Sequence, residues 1–84
     1  MEAKEMFEKM GLQEKRLSPI EVMYGDEEKE KLRTYASFSR TFFYGDDGEP
    51  KFRNKIEMFF YPGEGIGFDE FIAAVKKKKE ERGM

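Results

Sequence analysis

The stretch FFYPGEGIGFDEF, residues 59 to 71, is where this 84-residue chain comes nearest to a recognisable chemical motif. An apolar run stops at Pro62, glycines alternate at Gly63, Gly65 and Gly67, and helical spacing begins at once. That order suits a phosphate-binding loop, in which successive backbone N–H groups and a helix N-terminus converge on an anion. Such loops are usually helped by a lysine or belong to a dinucleotide-binding unit that continues into another strand. Here Glu64 stands inside the loop, Asp69 and Glu70 fill the turn where phosphate charge would fall, and no strand is expected after the helix. These carboxylates already complement the helix dipole. The glycines therefore read as structural, with Pro62 and Gly63 forming a tight turn and Gly67 a permissive N-cap.

Other reactive constellations are thin. The chain has no cysteine and no histidine, which removes thiolate nucleophiles, thiolate metal sites and the commonest general acid–base residue. Oxygen-ligated cations remain as an option. However, neither acidic cluster (Asp26, Glu27, Glu28 and Glu30; Asp46, Asp47 and Glu49) has the alternating ligands and distant bidentate carboxylate of a calcium loop. Ser37 and Ser39 have no histidine to activate them. No catalytic residue, metal ligand or cofactor is expected, and the chain reads as a non-enzyme.

The elements that must carry any site are few. A chain of this length supports a single small domain, here residues 1–84, which buries about 60–65% of the surface exposed when unfolded. Charged residues make up 40% of the sequence, but sixteen Lys and Arg against eighteen Asp and Glu leave a net charge of −2. That balance favours solubility over general attraction to nucleic acid or membrane. No apolar run approaches the ~20 residues of a membrane span, and the acidic start MEAKEMFEKM does not read as a signal peptide. A cytoplasmic location follows as the expectation.

Ala3, Met6, Phe7 and Met10 form one stripe of a short helix over residues 2–10, and Gly11 with Leu12 fits a glycine cap. Ile20, Val22 and Tyr24 alternate with Glu21 and Met23, as in a strand with one buried face. DEEKEK reads as a solvated turn. From Leu32 to Tyr44, the even residues Ala36, Phe38, Phe42 and Tyr44 would share a face that Arg40 interrupts, so a bulge near Ser39 or a break into two strands is implied. YGDDGEPKF turns the chain back. Phe52, Ile56, Met58 and Phe60 then face one side of a further strand, and Phe68, Phe71, Ile72 and Val75 form the stripe of a second helix. The expected class is α+β: a three-stranded, or at most four-stranded, mostly antiparallel sheet, with an N-terminal and a C-terminal helix packed on its even-residue face.

That arrangement leaves an aromatic and basic set on the odd-residue face: Tyr35, Phe43, Phe59 and Tyr61 with Arg53 and Lys55. Aromatic rings rimmed by basic residues are common anchors of protein interfaces, which implies a protein partner or a homodimer. The same residue types could stack bases and hold phosphates of a single-stranded nucleic acid, the alternative reading. By contrast, the four lysines from Lys76 to Lys79 spread around a helix and continue into Glu80 and Glu81, as on a solvated face.

With the helices placed, the opening KEMFEKMG and the closing GFDEFIAAVKKKKEERGM resemble a family of short uncharacterised proteins encoded by phages and prophages of bacteria. In that family a helix ending in glycine precedes a small sheet, and an acidic-capped helix closes the chain. Here Gly67 stands where such proteins place Ser or Thr, and Met84 where they place an aromatic residue. The resemblance implies a small cytoplasmic accessory or inhibitor protein acting on a host factor, and carries over no functional residues.

Overall fold

The computed structural model describes residues 1–25 and 33–84. Its elements in chain order are α1 (Ala3–Lys9), β1 (Gln13–Ser18), β2 (Glu21–Gly25), β3 (Tyr35–Tyr44), β4 (Pro50–Phe59) and α2 (Phe68–Glu81). The strands form one antiparallel meander in the order β1-β2-β3-β4. The α+β class with both helices on one face is as expected. The solvated turn expected at DEEKEK and the acidic cluster from Asp26 to Glu30 lie outside the described residues.

Both helices stop for the same reason. After α1, the amide of Gly11 donates to the Glu8 carbonyl at 2.9 Å and that of Leu12 to the Phe7 carbonyl at 3.0 Å, with Gly11 at φ 84°. After α2, Gly83 donates to Glu80 and Met84 to Lys79, each at 3.0 Å, with Gly83 at φ 69°. Each is a Schellman closure, which satisfies the last carbonyls and needs a left-handed residue that glycine adopts without strain.

The core lies between the helices and the even-residue face. Phe7 stacks on Tyr24 with centroids 4.3 Å apart and meets Phe38 and Phe71 edge-on at 6.5 and 6.3 Å. Ala3, Val22, Ala36 and Ala74 fill the remaining space. Each buried large apolar side chain contributes about 1.5–3 kcal/mol, so these four rings dominate the packing. The Tyr24 hydroxyl donates to Glu14 Oε2 at 2.7 Å and ties β1 to the core. Burial, reinforced by that carboxylate, pushes the Tyr24 phenol well above its usual range.

Several expectations are corrected. The fourth strand is β1, QEKRLS, and does not come from a division of residues 32–44: β3 runs unbroken for 10 residues. No bulge occurs at Ser39, and the register shift seen in the sheet lies between Arg16 and Ser18. Arg40 is accommodated by bonding. Its Nε donates to Asn54 Oδ1 at 2.9 Å and its Nη2 to the Arg82 carbonyl at 2.8 Å, at the end of α2. Ile20 is exposed in the β1–β2 turn, because Pro19 begins the reversal there.

The helix cover is also shorter than the sheet. A strand of ten residues reaches about 33 Å, whereas a helix of fourteen reaches about 21 Å. The far half of the β3–β4 hairpin therefore extends past the helices, and the molecule measures 48 × 30 × 19 Å. Phe42, Tyr44 and Phe52, which share the even face with the core, are 48%, 70% and 65% exposed. Among the described residues, no helix is long and apolar enough to cross a membrane.

Candidate functional site

On the odd face, where neither of the described helices packs, cross-strand pairing sets Tyr35, the first residue of β3, opposite Phe59, the last of β4. Their rings lie nearly parallel, with centroids 6.3 Å apart, and Phe59 is followed at 6.5 Å by the ring of Tyr61. Gly25 makes room beside this strip, since a Cβ there would stand 3.1 Å from the Tyr35 Cβ.

Tyr61 lies beyond β4 but is held in place. Its amide donates to Oγ1 of buried Thr34 at 3.0 Å, and the Thr34 amide donates to Glu64 Oε2 at 3.1 Å. This contact also explains the glycine run. Glu64 bridges the loop to the start of β3, so the loop presents a carboxylate acceptor where a phosphate would require donors. Gly63 at φ 99° and Gly65 at φ 80° carry the turn. Gly67 is the N-cap of α2, in extended backbone and without a side-chain cap.

The six residues expected to form one surface share the odd face but fall into separate groups. Tyr35, Phe59 and Tyr61 occupy one end. Phe43 lies eight residues along β3 from Tyr35, about 26 Å away, where the Arg53 guanidinium covers its ring at 5.2 Å. Between them runs a polar band of Ser37, Ser39, Lys55 and Glu57. Lys55 Nζ lies 2.7 Å from Glu57 Oε1, and this bond raises the lysine pKa. An ammonium held in its charged form is poorly suited to activate Ser37 or Ser39 as a base. Both basic side chains expected at the site thus already have partners on the face, a cation–π contact for Arg53 and an ion pair for Lys55.

A second aromatic group escaped the reading of the sequence. At the hairpin tip, Phe42 meets Tyr44 at 5.1 Å and Phe52 at 5.6 Å, and Arg40 lies 5.9 Å from the Phe52 centroid. Period-two spacing assigns these rings to the helix side, and only the mismatch between helix and strand lengths reveals that they are uncovered. Comparison with family models, with curated proteins and with solved structures finds no match.

Proposed function

We propose that this protein acts by binding another protein, without catalysis or cofactor, through the strip Tyr35, Phe59 and Tyr61. The observation that carries this reading is the nearly parallel arrangement of the three rings on a face where none of the described helices packs, with the Tyr61 backbone held by Thr34. Rings held in one geometry before contact lose little freedom on binding, which favours them as interface anchors. The resemblance of the chain ends to short phage-encoded proteins supplies the setting: an accessory or inhibitor protein acting on a host factor in the bacterial cytoplasm.

The test compares the wild-type chain with Phe59→Ser/Tyr61→Ser as bait in bacterial lysate, with and without nuclease. One discrete protein held by the wild type after nuclease and lost by the variant is the expected result. Equal retention by both chains would overturn the use of this strip. Nucleic acid retained instead, with proteins lost on nuclease treatment, would transfer the function to single-stranded nucleic acid.

A further inference from the structure

The two edges of the sheet differ in kind. β1 is short, rich in charge and broken by the register shift between Arg16 and Ser18, features that discourage pairing with another chain. β4 is 10 residues long and pairs with β3 without a shift, while among the described residues no strand pairs with its outer side. The direction of its free backbone groups follows from the ladder. The Arg40 amide donates to Ile20 on the β2 side, so even residues of β3 face β2 and odd ones face β4. Their odd-numbered partners in β4 face back, which leaves the N–H and C=O groups of Phe52, Asn54, Ile56 and Met58 directed outward.

We infer that β4 is a homodimer edge, pairing antiparallel with β4 of a second copy about a two-fold axis at Ile56. Charge selects this register. Centring on Lys55 or Glu57 would set each against its own copy, and centring on Asn54 would set Arg53 against Lys55, whereas like charges directly opposite destabilise a sheet. Centring on Met58 would leave Phe52 beyond the ladder. With Ile56 at the axis, Lys55 of each copy lies opposite Glu57 of the other, extending the 2.7 Å pair within each strand into an alternating four-charge cluster. Lysines on an edge usually deter pairing, but here the neighbouring glutamate supplies the complement.

Apolar cover agrees with the same register. Phe52 of one copy comes opposite Phe60 of the other, beside Phe68, whose ring lies 5.2 Å from Phe60. Phe52, Met58 and Phe68, all exposed at this edge, lose water contact together. About six main-chain hydrogen bonds form between the strands, and the interface is isologous, as a two-fold requires. The hydrogen bonds of the pairing come from the backbone edge of β4, and in this register Phe59 of the aromatic strip stands opposite Arg53 of the other copy.

The test is mass by light scattering or sedimentation over a hundredfold range of concentration. The wild type should reach twice the monomer mass. Glu57→Lys and Lys55→Glu should each weaken dimerisation by roughly tenfold or more, because each sets like charges opposite at two symmetric positions. The two single variants mixed in equal amounts should form a heterodimer, and the double exchange should restore the homodimer. Met58→Pro removes an outward N–H and leaves the β3 ladder intact, so it should give a monomer with unchanged circular dichroism. A wild type that stays monomeric throughout, or a dimer unaffected by both charge reversals and by the proline, would overturn the inference.

Discussion

The carboxylate of Glu81, at the end of α2, accepts the backbone amide of Ala3, at the start of α1, at 2.7 Å across 78 residues of sequence. A carboxylate on the last turn of a helix opposes that helix's own dipole. Here the helices run antiparallel, with Phe7 beside Phe71 at the other end, so the positive start of α1 meets the negative end of α2. The α1 N-cap, Glu2, makes no side-chain hydrogen bond, and Glu81 supplies the missing acceptor from another element.

Replacing Glu81 by Ala should therefore cost about 1 kcal/mol, the usual worth of an N-cap. Glu81→Gln keeps an acceptor oxygen and should recover part of the loss. Urea denaturation of the three proteins, with hydrogen exchange at the Ala3 amide, measures both effects; an unchanged exchange rate at Ala3 in Glu81→Ala would contradict the capping role.

The glycines before α2 separate by backbone conformation. Gly63 has φ 99° and open space where a Cβ would project, so Gly63→Ala meets only backbone strain and should lose about 1–2 kcal/mol. Gly67 has φ −73°, and a Cβ there would lie 3.4 Å from the flexible end of the Glu70 side chain. Gly67→Ser adds a hydroxyl to an N-cap that lacks one and should gain a few tenths of a kcal/mol. Thermal unfolding of both variants checks the pair, and opposite signs are the required outcome.

Arg40 joins the hairpin to the end of α2. Removing its guanidinium leaves the Arg82 carbonyl and Asn54 without their donor, so Arg40→Ala should cost about 1–3 kcal/mol. The damage should concentrate at the C-terminal turn of α2, seen as faster exchange of the Gly83 and Met84 amides, while the Schellman closure of α1 at Gly11 and Leu12 keeps its protection. Uniform loss of protection would show that Arg40 acts through the whole fold instead.

Arg40 also marks how far the sequence could be read. The stripes through Phe7 and Phe71 and the alternation of Val22 with Tyr24 are legible because each element has one buried face. β1 has no such face: its residues are polar or charged apart from Leu17, which is itself exposed, so an edge strand held by backbone bonds left no periodic signal. Arg40 looked like an interruption because its partners, Asn54 and the Arg82 carbonyl, are distant in sequence. Alternation placed Tyr35, Phe43, Phe59 and Tyr61 on one side, and the eight residues from Tyr35 to Phe43 already set those two rings apart along one strand. That Phe59 and Tyr61 gather beside Tyr35 and not beside Phe43 required the register.

Tyr24 should give the protein an alkaline limit. Its phenol is raised in the fold by burial and by the Glu14 carboxylate, whereas in the unfolded chain it titrates near the ordinary value of about 10. Below that value both states hold the proton and the contribution is fully present. As pH rises above it, the unfolded chain releases the proton and the folded chain keeps it, so stability falls by up to about 1.4 kcal/mol per pH unit from this group alone. Tyr24→Phe has no proton to release and lacks that slope. At pH 7 the variant should be less stable by about 1 kcal/mol, because the hydrogen bond to Glu14 is gone. Urea midpoints at pH 7 and pH 11 decide the matter: the gap between wild type and variant should close or reverse at the higher pH. A gap that stays constant would mean that the phenol ionises equally easily in both states, and that its hydrogen bond to Glu14 contributes nothing to the pH dependence.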